Sequence, residues 1–191
     1  MGVLATLDTC SIAVLSGRIL EMGCGTGYLQ HALAQQQPGQ AIGLDASRWM
    51  LRRTQRRAQR DALKVHLVEA RSQALPCASG QFDRVVATFP SEYILDPATL
   101  TEIQRVLHPS GALVIVDSAH FTRDGLYQRL VDLLYRVTFQ ASVVRDIPPQ
   151  SPYVPLLQHA GFQVTVFPET VDASEVLVVV AHLDDHKRGL S

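Results

Sequence analysis

Hydrophobic positions along the chain fall into short unbroken runs, separated by stretches in which they recur every three or four residues. The runs lie near residues 18–22, 40–44, 64–68, 83–88 and 112–117. Continuous apolar character over so few residues predicts strands buried on both faces, and the helical spacing between them predicts covering helices. The pattern therefore reads as a largely parallel sheet wrapped on both sides. Leu29 and Leu33 share a face of the first helical interval. A later interval opens with Asp96-Pro97 as N-cap and first helical residue and turns Leu100, Ile103 and Leu107 inward. Leu126, Leu130, Leu133, Leu134 and Val137 predict an amphipathic helix over about 123–139, its apolar stripe read as core. The stiff run Ile147-Pro148-Pro149-Gln150-Ser151-Pro152 follows as an extended loop. After Gly161, residues 162–167 and 175–183 read as a closing pair of strands joined by Pro168 to Ser174.

The first run leads into the most informative stretch of the chain. Residues 18–27 read Arg-Ile-Leu-Glu-Met-Gly-Cys-Gly-Thr-Gly, a strand passing through an acid into a turn with glycine at every second position. Glycine lets a backbone take positive φ and brings its amides against a ligand that a Cβ would hold away. The dinucleotide fingerprint would place its third glycine at position 28, and Tyr28 stands there instead. A second short run ends in Gly43-Leu44-Asp45, and in a βαβ unit that carboxylate comes beside the glycine turn, where it can accept both hydroxyl protons of a ribose.

These features, taken with two later segments, resemble the class I S-adenosylmethionine-dependent methyltransferases over roughly Arg18 to His182. Glu21, Gly23, Gly25 and Gly27 match the family's first motif and Asp45 its ribose-binding acid. Leu75-Pro76 followed by Phe82-Asp83-Arg84-Val85-Val86 is similar to the run into the family's fourth strand, and Arg105-Val106-Leu107-His108-Pro109-Ser110-Gly111 to its connection into the fifth. The resemblance implies an α/β, Rossmann-like, doubly wound sheet of seven strands, mostly parallel with one antiparallel strand, in the order 3-2-1-4-5-7-6. It also implies a small-molecule methyltransferase using S-adenosyl-L-methionine and releasing S-adenosyl-L-homocysteine. Cofactor contacts are expected from Glu21, Gly23, Cys24, Gly25, Gly27, Asp45, Ala46, Arg71, Ser72 and Thr88. Where relatives carry an acid that accepts the adenine amino protons, this chain has Arg71-Ser72, so arginine stacking, Ser72 backbone groups or Glu69 would have to take over that contact.

No catalytic base is obligatory for transfer from a sulfonium. Glu92 and Tyr93, after the fourth strand, are the acceptor-side candidates, with His120 and Asp117 at the end of the fifth. Thr88-Phe89-Pro90-Ser91-Glu92-Tyr93 lacks the Asn-Pro-Pro-aromatic run of enzymes that methylate exocyclic base amines or glutamine amides. The histidines are scattered without ligand spacing, so no metal is expected.

Composition narrows the class further. The chain has 191 residues, 47% hydrophobic, with a net charge of −1, which suits one globular domain and not a polyanion binder. Cys10, Cys24 and Cys77 form no disulfide framework, Asp8 argues against a signal peptide, and the burst Val176 to Ala181 is too short to span a bilayer. The expectation is a cytoplasmic protein with no membrane or nucleic-acid partner. Arg48, Arg52, Arg53, Arg56, Arg57 and Arg60 crowd the second helix and read as its solvated outer face, with RNA binding the minority reading. The domain is bounded at 18–184, with residues 1–17 before it and a tail at 185–191. So short a leading segment leaves three readings: a lid supplied by a partner chain or second copy, a start upstream of Met1, or a module that binds cofactor with little turnover. A dehydrogenase binding NAD is the remaining alternative.

Overall fold

The computed structural model describes residues 15–121, 151, 153–171 and 174–184. Among these, seven strands form one sheet: β1 (Ile19–Met22), β2 (Ala41–Asp45), β3 (His66–Glu69), β4 (Phe82–Thr88), β5 (Leu107–Phe121), β6 (Phe162–Val171) and β7 (Ser174–Leu183). Their order is β3-β2-β1-β4-β5-β7-β6. The first five run parallel, and β7 lies antiparallel to both β5 and β6. Helices α1 (Tyr28–Gln36), α2 (Arg48–Arg60), α3 (Pro97–Val106) and α4 (Tyr153–His159) join them, with a 3₁₀ turn at Glu92–Leu95. This is the expected doubly wound sheet.

Successive residues of the central strands feed two separate cores, which is why those strands are apolar without alternation. Leu20 and Met22 of β1 join Val85, Leu113, Ile103 and Leu157 on one side, whereas Ile19 joins Val86, Val114, Leu29 and Leu33 on the other. Helix starts follow local chemistry. Asp96 Oδ1 accepts from the Ala98 amide at 2.9 Å ahead of Pro97, and Ser47 Oγ accepts from the Met50 amide at 3.4 Å.

Several boundaries differ from the sequence expectation: β3 starts at His66 rather than 64, β5 runs on to Phe121 rather than 117, and two further cases change an element's type. Leu107 is not the last inward residue of a helix: α3 stops at Val106, and Leu107 opens β5 opposite Phe82. It is buried in either role, so spacing alone could not separate them. Pro168 to Ser174 is also mostly strand, with Pro168 opposite Leu177 and Val171 opposite Ser174. Proline is tolerated there because β6 is the last strand of the sheet, and its missing N–H can face outward. The helix expected over 123–139 lies outside the described residues, as do most of the Ile147 to Pro152 loop and residues 1–14.

The segments 75–77 and 102–105 are tied together by Arg105. Its guanidinium grips Glu102 at 2.6 and 2.8 Å and donates to the Cys77 and Leu75 carbonyls at 2.7 and 3.0 Å, while Glu102 accepts the Leu75 amide at 2.6 Å. The arginine thus pins the Leu75-Pro76 turn to α3. Arg105→Ala strands two carbonyls and a carboxylate, and is expected to lower unfolding free energy by about 2 kcal/mol in a denaturant titration.

Candidate active site

The parallel strands β1, β2 and β4 end on one edge of the sheet, and the side chains of interest gather there. From Met22 the chain passes through Gly23-Cys24-Gly25-Thr26-Gly27 straight into α1. Gly27 has φ 74°, and a Cβ there would lie 2.2 Å from Thr54 Cγ2, so α2 packs where a side chain would be. A Cβ on Gly23 would meet Tyr93 Oη at 2.8 Å. At Gly25 the nearest atom is the Gly23 oxygen, 3.9 Å away, and this is the open side of the loop. Gly27 caps α1 with no side-chain acceptor, leaving its first amides able to meet a ligand.

Asp45, at the end of β2, binds the loop directly. Its Oδ2 accepts from the Gly25 amide at 2.9 Å and its Oδ1 from the Ser47 amide at 2.8 Å. A carboxylate offers about four acceptor sites, so two are committed to the backbone and the rest are free for a diol. Thr54 Oγ1 donates to the Gly25 carbonyl at 2.8 Å and holds the loop from the other side.

Beneath the loop, Glu21 is 1% exposed. Burial, reinforced by the nearby Asp45 charge, pushes its carboxyl up to about 8, against the pull of Gln30 and Thr88 beside it. Even so, Glu21 Oε2 and Gln30 Nε2 complete no hydrogen bond of regular geometry. A protonated or cation-seeking acid beneath the glycine turn is the result. The sign of the linkage follows: the folded protein holds this proton more tightly than the unfolded chain, so Glu21 costs stability as pH rises from about 4.5 to 8. Glu21→Gln is expected to remove that slope and to stabilise the ligand-free protein at pH 8 by a few kcal/mol, read from denaturant midpoints across that window.

Of the acceptor-side candidates, Tyr93 lies against the loop, its hydroxyl donating to the Met22 carbonyl at 2.9 Å. Burial and the Glu21 and Asp45 carboxyls keep its phenol protonated well above the ordinary range. Glu92 is exposed beside it. The Cys24 thiol is likewise held protonated by burial. Thr88 ends β4 next to Glu21, and Asp117 accepts from the Tyr153 hydroxyl at 3.4 Å. The side chain of His120 lies outside the described residues. Ala46, just after β2, is exposed; beyond β3, Arg71 is exposed and Ser72 is buried with its hydroxyl accepting from Thr99 at 3.1 Å. Glu69 is engaged by Arg48 at 2.6 Å. That ion pair weighs against Glu69 as the replacement for the missing adenine acid. Among the described residues no cluster of His, Cys, Asp and Glu could hold a metal ion.

Three positions here were not singled out from sequence. Thr54 is one, although its place with Leu51 and Ala58 on the inward face of an arginine-rich helix was a readable signal. Gln30, buried beside Glu21, is the second. Phe89 is the third: it takes φ 46°, an uncommon conformation for a bulky residue, and leaves its ring 43% exposed just past β4. No local sequence signal marks it.

Comparison with known proteins bears on the family and the fold. Residues 19–111 match a family model described as a methyltransferase domain. The chain is 35% identical over 125 residues to a demethylmenaquinone methyltransferase from Thermus thermophilus, a match covering 64% of this chain and 54% of that protein. It is 32% identical over 168 residues to one from Lactiplantibacillus plantarum, covering 78% and 71% respectively. The chain therefore spans between about half and seven tenths of the length of these curated relatives. A SAM-dependent methyltransferase from Aquifex aeolicus shares the fold, with a TM-score of 0.65 at 17% identity over 94% of this chain and 90% of that one.

Proposed function

This chain belongs to the S-adenosylmethionine-dependent methyltransferases, and from that premise we propose that it methylates a small aromatic acceptor of the quinol class on a ring carbon. The observation that carries the reading is the Gly25–Asp45 junction: an amide-lined loop, open at Gly25, beside a carboxylate with acceptor sites to spare. A ribose diol fits the free lone pairs of Asp45. The unpartnered Glu21 oxygen, buried beneath the turn, fits a cofactor bearing positive charge. When bound, the cofactor supplies a methyl group on a sulfonium, already activated for in-line displacement.

The work left to this chain is binding, alignment and exclusion of water, and correct orientation alone lowers barriers by roughly 7 to 11 kcal/mol in favourable systems. Asp45 and the glycine-loop amides hold the nucleoside and amino-acid portions. Arg71 and the Ser72 backbone border the adenine. Tyr93, kept protonated and fastened to Met22, walls the Gly23 side and holds no role as a base. Phe89 presents an aromatic ring at the same edge, and its likeness in chemistry to an aromatic acceptor, together with the quinone relatives, favours that acceptor class.

Titration calorimetry with S-adenosylhomocysteine and with NAD tests the cofactor, and labelled methyl transfer to a reduced naphthoquinone bearing an unsubstituted ring carbon tests the acceptor. Binding of S-adenosylhomocysteine with transfer supports the reading. Binding without transfer to the reduced naphthoquinone removes the quinol acceptor and leaves the cofactor reading standing. NAD binding in its place overturns the proposal.

A further inference from the structure

We propose that the outer face of α2 is a docking surface for an anionic lipid bilayer. The inference goes beyond the acceptor reading and does not rest on it. Helix α2, Arg48–Arg60, contains six arginines and no acidic residue, although the whole chain is nearly neutral, with 17 Lys and Arg against 18 Asp and Glu. Leu51, Thr54 and Ala58 face the sheet. The other side carries Arg52, Arg53, Arg56 and Arg60, all exposed, along about 12 Å of helix. Among the described residues the only ion pair on this helix is the one from Arg48 to Glu69. So dense a row of like charges repels itself, and a surface of opposite charge relieves that repulsion.

Charge alone would fit any polyanion, and the aromatic residues distinguish a lipid surface. Trp49 is 58% exposed with the Arg53 guanidinium 4.7 Å above its ring, and Tyr28 is 42% exposed with that of Arg57 at 3.6 Å. Amphipathic aromatic rings beside arginines suit the headgroup layer, where the ring meets acyl carbon and the guanidinium meets phosphate. Stacking on nucleic-acid bases needs free ring faces, and here a guanidinium already covers one face of each ring. Trp49 lies in the first turn of α2, four residues after Asp45, and Tyr28 directly follows the glycine loop, so docking through this face brings the mouth of the site to the surface. The sequence expectation of no membrane partner rested on the absence of a spanning stretch. A face that lies on a bilayer needs none.

The test is co-sedimentation of the full chain with vesicles of phosphatidylcholine alone and of phosphatidylcholine mixed with phosphatidylglycerol, at low and high salt. Binding is expected only to the anionic vesicles and is expected to weaken with salt. Replacing Arg52, Arg56 and Arg60 together by glutamine should weaken it by roughly a hundredfold, about fivefold for each charge. Trp49→Ala should weaken it with the salt dependence intact, and circular dichroism confirms that both variants remain folded. Equal binding to neutral and anionic vesicles, no vesicle binding, an unchanged affinity in the folded triple variant, or binding to an RNA homopolymer without binding to vesicles would each overturn the proposal.

Discussion

Asp45→Ala is expected to reduce S-adenosylhomocysteine affinity by roughly a hundredfold or more, about 3 kcal/mol, while leaving a folded protein. The size of the effect reflects two separate tasks of the carboxylate. It receives the Gly25 amide at 2.9 Å, which fastens the glycine loop to the end of β2, and the Ser47 amide at 2.8 Å, and its remaining lone pairs are left for the proposed ribose. Hydrogen bonds to a charged acceptor are the strong ones, and losing them frees the loop as well as the sugar. Asp45→Asn keeps the shape but turns an amide donor toward at least one of those N–H groups, so it is expected to fall between the two. Calorimetry reads the affinity and a denaturant midpoint reads the fold. An alanine variant that binds as tightly as the original would remove Asp45 from the site.

Gly27→Ala is expected to destabilise the protein by roughly 3 to 5 kcal/mol. Two costs combine there. The backbone sits at φ 74°, and the new Cβ would lie 2.2, 2.7 and 2.8 Å from three atoms of the Thr54 side chain. Relief requires α2 to move away from the loop, which also breaks the Thr54 hydrogen bond to the Gly25 carbonyl. Gly39→Ala separates the two contributions: Gly39 has φ 82° with nothing within 4 Å of an added Cβ, so only backbone strain of about 1 kcal/mol is expected. Unfolding free energies of the two variants, measured side by side, check the difference. Similar values would mean that the packing of α2 against the loop contributes little.

Most of the sheet was legible in the residues because strands buried on both faces carry an apolar signature in themselves. β1, β2 and β4 lie within a residue or so of the runs that announced them, and the Asp96-Pro97 helix start is capped as its chemistry requires. The misplaced boundaries are those where one residue type suits two structures. Leu107 is apolar and inward in a helix or a strand, and only the neighbouring Phe82 decides which it joins. Pro168 reads as a connection until the sheet order shows that its strand lies at an edge. For the candidate site, the glycine spacing and Asp45 were visible in the chain, whereas Thr54, Gln30 and Phe89 carried no motif.

By itself, then, the sequence determined the layered α/β arrangement, the glycine turn and the acid that follows it on the next strand, because periodicity, glycine and capping act over a few neighbouring residues. Only the tertiary structure decided what those residues do to one another. It packed Thr54 where Gly27 has no side chain, joined Tyr93 to Met22, buried Glu21 without a full set of partners, and set the exposed rings of Trp49 and Tyr28 beneath the guanidinium groups of Arg53 and Arg57. The physical reason is distance along the chain. Burial, an unpaired carboxyl oxygen and a steric collision arise between residues tens of positions apart, and no local pattern records which of them will meet.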